Sequence, residues 1–546
     1  MNDRTETRPS SLAPLGNPVF RAVWIASLVS NFGGLIQSVG SAWLMTSISK
    51  SDDMVALVQA STTLPIMLFS LASGAVADNF DRRRVILIAQ GFMLVVSVAL
   101  AVFAWFGWIT PWLLLAFTFL IGCGTALNNP SWQASVGDMV PRDHVAAAVS
   151  LNSVAFHLTR SVGPAIGGAI VAALGAAAAF IVNAFSYVAL LVVIARWKPN
   201  YPKSSLPRET MGRAMTAGLR FVAMSPHIET VLFRSLIFGF SAVIILALLP
   251  LVARDLLGGG ALTYGVLLGC FGVGAVCGAF ASGRLRQRFS TEAIVRCGFL
   301  GFALCAVISA FGTQIWQTGL GLFVGGACWV MVLSLFNVTV QLSTPRWVVG
   351  RALALYQTAV FGGMALGSWV WGVSADANGL AETLLICSGV LLVGAAVGLR
   401  FPMPAMQQLD LEPHNRWRHP NLALDVRPQS GPIFIVVEYV IREQDLPEFM
   451  KVMDDRRRVR LRDGARQWEL MRDLENPEIW RETYHAPTWV EYVRHNQRAT
   501  KADAEIGERL RALHAGPDSP RVQRMIVRPT NWAESHLRHK PAGEIH

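Results

Sequence analysis

Long apolar stretches alternate with short polar ones along the first 401 residues of the chain. Each apolar stretch is close to the roughly 20 residues that a helix needs to cross a bilayer. The predicted spans cover residues 20–45, 54–77, 85–106, 110–135, 145–173, 177–196, 229–253, 262–283, 291–312, 315–341, 348–374 and 381–401. The pattern therefore predicts an all-α polytopic membrane protein with twelve transmembrane helices and both termini on one side.

The predicted spans divide into two copies of one six-helix pattern. A shift of 204 positions, the separation of Gly74 from Gly278, also superimposes Pro141 on Pro345. Further pairs at this shift are Ala77 and Ala281, Arg82 and Arg286, Arg84 and Arg288, Val145 and Val349, Ala148 and Ala352, Leu151 and Leu355, Ala155 and Ala359, Gly163 and Gly367, and Gly168 and Gly372. One constant shift over so many positions predicts two six-helix bundles in a parallel repeat.

The composition changes abruptly after Phe401, and the rest of the chain is predicted to be soluble. Strand-like and helix-like runs follow in the order βαββαβ, which is typical of a ferredoxin-like α+β unit. The predicted strands cover 433–441, 467–474, 479–485 and 522–527, and the predicted helices cover 445–462 and 489–513. The predicted domains are a tail at 1–18, six-helix bundles at 19–197 and 229–401, linkers at 198–228 and 402–430, a soluble domain at 431–530 and a tail at 531–546. Within the first linker, residues 209–224 predict an amphipathic helix on the membrane surface.

Composition and charge support this assignment. The chain is 53% hydrophobic and 15% charged, whereas soluble domains carry about 25% charged residues. The net charge of +11 comes from Arg and Lys in alternate loops, which marks the cytoplasmic side of a membrane. We therefore expect the lipid bilayer, and not nucleic acid, as the partner of this charge. The seven cysteines lie in or beside apolar runs without metal-ligand spacing, so no metal site, cofactor or disulfide framework is predicted.

The loop between the second and third predicted spans combines small residues, one acid and an arginine cluster. Gly74 belongs to a small-residue run that lets helices approach closely, and Asp78 can meet arginines or the positive end of another helix. Arg82 and Arg84 follow, and Asp138 ends the fourth span on the same predicted side. We expect Asp78, Arg82 and Asp138 to form a conformational latch. An ordinary positively charged loop is the alternative.

This loop resembles a signature of the major facilitator superfamily, Gly-x-x-Ala-Asp-x-x-x-Arg-x-Arg, at Gly74, Asp78, Arg82 and Arg84. It departs from the signature at Asp81, where the family usually has glycine. The resemblance covers residues 18–401 and implies alternating access around a substrate site between two parallel halves. A transporter followed by a ferredoxin-like domain resembles the transmembrane secretion effector branch, which is related to enterobactin and macrolide exporters. The resemblance implies the bacterial inner membrane, with both termini cytoplasmic.

The fifth predicted span contains a glycine-rich segment beside a charge at membrane depth. Four residues resemble the exporter-associated signature Gly-Pro-x-x-Gly-Gly of the superfamily: Gly163, Pro164, Gly167 and Gly168. This favours export over import, and a packing seam between helices is a compatible interpretation. Arg160 precedes the signature, and an arginine inside a membrane normally faces a cavity or a partner. His157 is a candidate proton carrier, with a packing role as the alternative.

Other polar residues at membrane depth are candidates for the wall of a substrate cavity, with hydrogen bonding between helices as the alternative for each. Together with His157 they are Asn31, Gln37, Gln59, Asn128, Asn129, Gln133, Asn152, Asn337 and Gln357. Candidates for an apolar wall are Trp43, Phe69, Trp329, Phe336 and Tyr356. We expect transport to be coupled to protons. No acidic residue lies deep in a predicted span, so the sequence does not indicate a carboxylate as the proton carrier.

Two functions remain open at this point. The first is a secondary active transporter that exports a small amphipathic molecule, such as a siderophore or drug-like metabolite. The second is a transporter whose C-terminal domain modifies the cargo or regulates transport. That domain resembles the dimeric antibiotic-biosynthesis monooxygenase group, which implies dimerisation through it. Its candidates for an oxidative pocket are His485, Trp489 and His495, with packing as the alternative. Its sequence contains no catalytic triad, phosphate loop or metal spacing, and the chain is not predicted to be an enzyme.

Overall fold

The computed structural model describes residues 13–136, 138–141, 144–198, 211–345, 347–404 and 420–527. The chain forms two compact units, which are treated separately below. The helical unit comprises residues 1–215, 227–340 and 351–406. The C-terminal unit comprises residues 216–226, 341–350 and 407–546. The C-terminal unit thus contains two short segments that the sequence alone assigned to the linker and to the loop before the eleventh span.

Twelve helices of 21 to 31 residues lie at the positions of the predicted spans in the described part of the chain. They are α1 (Pro18–Ile48), α2 (Asp52–Asn79), α3 (Arg82–Trp105), α4 (Pro111–Val136), α5 (Val145–Leu174), α6 (Ala176–Arg196), α8 (Pro226–Leu251), α9 (Ala261–Arg288), α10 (Thr291–Phe311), α11 (Ile315–Leu342), α12 (Val349–Asn378) and α13 (Leu380–Arg400). The linker helix α7 covers Met211–Ala223. Ten of these helices are long and apolar enough to cross a membrane, and the predicted fold class is confirmed.

The helix ends near the arginine loop show why Asp81 replaces the expected glycine. The Asp81 carboxylate accepts hydrogen bonds from the backbone N–H groups of Arg83 and Arg84 and so caps the start of α3. An N-cap of this kind contributes about 1 kcal/mol. The Arg83 guanidinium donates to the carbonyl oxygens of Ile194 and Ala195, which stabilises the last turn of α6. Asp81 therefore caps α3, and Arg83 joins the start of α3 to the end of α6.

The repeat predicted from the sequence is visible in the helix contacts. A Cβ at Gly163 of α5 would lie 3.1 Å from the Cβ of Leu35 in α1. In the second half, a Cβ at Gly367 of α12 would lie 2.9 Å from the carbonyl carbon of Phe240 in α8. Small residues at equivalent positions therefore allow the same close helix pair in each half.

Two further glycines join the halves to each other in an equivalent way. A Cβ at Gly168 of α5 would lie 2.8 Å from the Cα of Gly265 in α9. A Cβ at Gly372 of α12 would lie 2.8 Å from the Cα of Asp53 in α2. Since Gly168 and Gly372 are one repeat pair, the two halves meet along two pseudo-symmetric seams, α5 with α9 and α2 with α12.

An aromatic cluster fills the interior of the second half. Phe238 of α8 lies with its ring 5.1 Å from that of Phe299 and 5.9 Å from that of Trp329. The guanidinium of Arg234 is fully buried, 5.2 Å from the Phe299 ring and 3.6 Å from a carboxylate oxygen of Glu292. The charge of Arg234 is thus compensated inside the bundle by Glu292 and by a ring face.

The C-terminal domain has the predicted α+β composition. A four-stranded antiparallel sheet has the order β2–β3–β1–β4, with β1 at Ile433–Val440, β2 at Arg466–Arg472, β3 at Ile479–Ala486 and β4 at Arg521–Ile526. Its core contains Ile435, Tyr439 and Tyr484 of the sheet with Phe449 and Val452 of α14 (Leu446–Asp463).

The single helix predicted at 489–513 is wrong. The structure has two helices there, α15 (Trp489–Gln497) and α16 (Lys501–Leu513). The Thr500 hydroxyl accepts from the backbone N–H of Asp503, and the Asp503 carboxylate accepts from the N–H of Thr500. This capping box starts a new helix where helical periodicity alone predicts continuation.

Candidate functional site

The helical unit encloses a cavity of about 490 Å³ between its two halves. Helices α1 to α6 of the first half and α8, α9, α11 and α12 of the second half contribute side chains to its wall. Cavities of about 300–1,000 Å³ are typical of sites for small molecules. The cavity is therefore the candidate substrate site, and it lies where the parallel repeat predicts one.

The predicted cavity residues divide into two groups. Those in the cavity wall are Asn31, Gln37, Gln59, Asn128, Asn129 and Arg160, with Pro164 and Trp329. Among the described residues, the wall does not include Gln133, Asn152, Asn337 or Gln357. The side chain of His157 lies outside the described part of the chain. The missing information was the rotation of each helix about its own axis, which decides which of its polar residues face inward.

Two of the predicted polar residues in the wall are held in hydrogen bonds between helices. The amide oxygen of Gln37 accepts from Asn183 at 2.5 Å and from the Ser97 hydroxyl at 2.8 Å. Gln90 donates to Asn128 at 3.2 Å. Gln37 and Asn128 therefore line the cavity and also form hydrogen bonds between helices, so both interpretations apply to them.

The exporter-type glycines of α5 lie in the contacts between helices described above. Gly163 and Gly167 face α1, and Gly168 faces α9 of the other half. Ser161, one turn away, donates to the carbonyl oxygen of Gly272 in α9 at 3.0 Å. This segment is therefore part of the seam at which the halves meet, and it lies directly beside the cavity residue Arg160.

The structure reveals a second junction between the halves that sequence reasoning missed. The Asp376 carboxylate of α12 accepts from the backbone N–H of Asp52 and from the Ser51 hydroxyl, each at 2.7 Å. Ser51 precedes α2, and its own hydroxyl does not cap that helix. A carboxylate from the second half thus serves as the N-cap of a helix in the first half. Its position two residues before Asn378-Gly379 at a helix end gave no signal of this partner.

An arginine reinforces the same end of the helical unit. Arg254, in a five-residue π-helix after α8 (Val252–Leu256), donates to the carbonyl oxygen of Thr46 at 2.9 Å. Thr46 lies in the last turn of α1, where a cation is favourable. Arg254 also pairs with Asp255 at 2.6 Å and lies 3.8 Å from Asp52.

The predicted latch residues lie near the C-terminal ends of α2 and α4, away from the junction between Ser51 and Asp376. Arg82 donates to the Asp138 carboxylate at 2.8 Å, while Arg84 is largely exposed and lies 3.9 Å from Asp81. The side chain of Asp78 lies outside the described part of the chain. A Cβ at Gly74 would meet open space, so the close helix approach expected there is absent from this conformation.

The C-terminal unit has its own cavity of about 480 Å³, lined by residues of the sheet and of α14 to α16. Of the predicted pocket residues only His495 belongs to its described wall. His485 instead packs against Phe434 with ring centres 4.8 Å apart, and Trp489 packs against Tyr492 at 5.3 Å. Packing roles, the alternative for these residues, describe His485 and Trp489.

A buried carboxylate organises the wall of the C-terminal cavity. Glu482 is fully buried and accepts hydrogen bonds from Tyr439, Arg460 and Trp468 at 3.0 to 3.1 Å. Burial alone would raise its pKa, but the guanidinium groups of Arg460 and Arg456 outweigh burial and lower the pKa of Glu482 to about 2.

The histidine of this cavity is held in the neutral form. His495 contacts the Arg460 guanidinium at 2.8 Å through Nε2. Burial, and next the charge of Arg460, lower the pKa of His495 well below its usual value. Because Arg460 can only donate, Nε2 is the acceptor and the ring proton is on Nδ1.

Twelve long helices in two equivalent halves around a central cavity define a membrane transporter. The comparison with known families agrees: the model of the family "Transmembrane secretion effector" matches residues 9–531, so the chain belongs to this family. The match includes the C-terminal sheet as well as the helices. The prediction of a transporter of this branch is confirmed.

Related proteins of known name are also transporters. The multidrug efflux pump Tap of Mycolicibacterium fortuitum is 25% identical over 71% of this chain and 96% of its own length. The enterobactin exporter EntS of Escherichia coli O1:K1 is 27% identical over 70% of this chain and 93% of its own length.

Solved structures share the fold at low sequence identity. A bacterial homologue of the human lysosomal transporter Spinster, in an inward-facing and unoccupied conformation, is 16% identical with a TM-score of 0.57. The alignment covers 70% of this chain and 96% of that chain. A transporter of the POT family in complex with a peptide conjugate is 12% identical with a TM-score of 0.58, over 70% and 95% of the two chains.

Proposed function

We propose that this protein is a secondary active exporter of a small amphipathic molecule, such as a siderophore or a drug-like metabolite. The observation that carries the proposal is the cavity of about 490 Å³ that both halves of the helical unit line. The glycine signature of α5 and the similarity to the exporters Tap and EntS support export as the direction.

Transport proceeds by alternating access in this proposal. The two halves are joined at the Ser51–Asp376 end by hydrogen bonds and by the Gly168 and Gly372 contacts. With both termini in the cytoplasm of a bacterium, as the charge of the loops favours, this end faces outward and the conformation is inward-facing. Asp78, Arg82 and Asp138 then form the inner latch, which locks the opposite, outward-open state.

Protons drive the export. An exporter that works against a gradient needs an ion to move in the opposite direction, and a bacterial inner membrane maintains a proton gradient. His157 in α5 is the candidate carrier, since imidazole titrates near neutral pH.

Efflux from cells tests this function. Cells that express the full chain are loaded with a panel of siderophores and hydrophobic dyes, and retention is measured with and without a protonophore. We expect lower retention of some compounds, abolished by the protonophore. Cells with Asp78→Asn should retain the compounds although the variant is expressed at the same level. Cells with Asp81→Asn, which keeps a capping oxygen, should export them. Equal retention in all cells would contradict the proposal.

A second candidate function concerns the C-terminal domain, and three contacts of aromatic rings favour regulation over chemistry. Within the C-terminal unit, the Arg462 guanidinium lies 5.2 Å from the Phe221 ring, and the Arg498 guanidinium lies 4.1 Å from the Trp347 ring. Phe221 and Trp347 contact each other edge to face at 5.6 Å. The domain therefore holds the linker helix and the segment 341–350, which continues directly into α12.

Two variants separate regulation from modification of the cargo. Truncation after residue 404 removes the domain. Trp347→Ala removes the contact between Arg498 and segment 341–350 and leaves the domain in the chain. A regulatory domain predicts that both variants change the efflux rate in the same direction. A cargo-modifying domain predicts that Trp347→Ala leaves efflux unchanged and that mass spectrometry finds altered cargo only when the domain is present.

A further inference from the structure

The two halves of the helical unit contribute chemically different walls to the central cavity. The first half presents mainly hydroxyl and amide side chains, among them Gln59, Thr62 and Asn129. The second half presents mainly apolar and aromatic side chains, among them Phe271, Trp329 and Phe361. A molecule in this cavity therefore meets hydrogen-bonding groups on one side and ring faces on the other.

Arg160 gives the polar wall a positive charge. Among the described residues that line the cavity, it is the only one with a charged side chain. Its position in α5 places it on the polar half, beside the seam with α9 where Ser161 bonds the carbonyl oxygen of Gly272. A guanidinium has five N–H donors in a fork, so it can hold a carboxylate and keep contacts with the protein.

The surroundings make this charge selective. A charge near the middle of a bilayer is costly, and the cost is reduced when an opposite charge arrives. In a cavity walled by apolar groups on one side, the attraction between a guanidinium and an anion is stronger than in water. A neutral molecule gains none of this attraction, and a cation is repelled.

We propose that the cargo is an amphipathic anion, with an acidic group bound by Arg160 and a flat apolar body against Trp329 and Phe271. This proposal rests on the central cavity being the transport site and adds the chemical class of the cargo to it. The volume of about 490 Å³ suits a molecule of drug size.

Binding of two matched probes to the purified full-length protein in nanodiscs tests the proposal. Dansylglycine carries a carboxylate, and dansylglycinamide has the same ring system with a neutral amide. We expect the wild-type protein to bind the anion about tenfold or more tightly than the amide, as a charged hydrogen-bonded pair warrants. Dansyl fluorescence reports both affinities.

Three variants assign the preference to its source. Arg160→Gln should lose the preference while binding the amide as before, and Arg160→Lys should keep most of it. Trp329→Ala should weaken both probes by the same factor. Size-exclusion profiles and amide binding show that each variant is folded.

The proposal is overturned if the wild-type protein shows no preference, including the case that it binds neither probe, or if Arg160→Gln keeps the preference. These outcomes are separate from a failure of export. A protein that prefers the anion but shows no efflux contradicts the transport function alone. A protein that exports neutral dyes without charge preference contradicts the cargo class alone.

Discussion

At the scale of single residues, the C-terminal domain compensates a buried charge with close partners. Glu482 has no exposed surface and is surrounded by Arg460, Arg456, Tyr439 and Trp468. Removing one member of such a group leaves other charges buried without compensation, which costs about 3–5 kcal/mol. Glu438, on the neighbouring strand, pairs with Arg481 at 2.9 Å but is half-exposed, and such pairs contribute about 0–1 kcal/mol.

Glu482→Gln should therefore lower the local stability of the sheet by about 3 kcal/mol or more, and Glu438→Gln should change it little. Hydrogen–deuterium exchange of peptides from β1 and β3 in the full-length protein measures both. Equal exchange in the two variants would show that the buried position of Glu482 does not matter.

The pH dependence of the same residue has a defined sign. Although burial alone would raise it, Arg460 and Arg456 hold the pKa of Glu482 at about 2 in the fold, below the 4.5 of an exposed glutamate. A carboxylate with a depressed pKa contributes stability that is complete above its unfolded pKa and is lost as the pH falls towards the folded value. Protection of β3 amides, taken relative to the intrinsic exchange rate at each pH, should therefore fall between pH 4.5 and 2 in the wild type, and this fall should be smaller in Glu482→Gln.

At the scale of helices and strands, the sequence predicted which elements form but not how they meet. Apolar run length located the twelve long helices, and the constant shift of the repeat located the glycines, because both depend on order along the chain. The cap of α2 by Asp376 could not be predicted, since it joins residues 324 positions apart. The break between α15 and α16 was signalled by Thr500 and Asp503 and was overlooked in favour of periodicity.

The same distinction applies to the candidate site. Membrane depth identified Arg160, Asn31, Gln59, Asn128 and Asn129 as candidates for the cavity wall, in which the structure places them. It also proposed Gln133 and Asn152, because polarity at depth does not indicate the direction in which a side chain points. The asymmetry between a polar and an aromatic wall becomes visible only when the helices are assembled.

The cap of α2 by Asp376 leads to a prediction about accessibility. Loss of an N-cap costs about 1 kcal/mol, which is about a fivefold change in the balance of two states. In cells, a cysteine at the cavity residue Ser38, in a background without the native cysteines, should react about fivefold faster with an impermeant thiol reagent in Asp376→Ala. Asp376→Asn keeps an acceptor oxygen and should react like the parent. Identical rates in all three proteins would show that Asp376 does not hold this end closed.

At the scale of the whole molecule, the membrane helices and the C-terminal domain belong to one family match. The family model spans both the helices and the C-terminal sheet. In the C-terminal unit, Phe221 and Trp347 are held between two arginines, and both lie in segments that connect membrane helices. The C-terminal unit thus includes residues from two loops between membrane helices as well as the chain after the last of them.

Alternating access itself is tested most directly by distances at both ends of the helical unit. Spin labels at Lys50 and Glu382 report the end held by Asp376, and labels at Phe80 and Phe289 report the opposite end; all four positions are exposed. Pulsed electron–electron double resonance on the full-length protein in nanodiscs gives both distance distributions. We expect Asp376→Ala to add a longer component to the first pair and, in the same proportion, a shorter component to the second. Unchanged distributions, or two distances that lengthen together, would contradict an exporter whose two halves open one end only as they close the other.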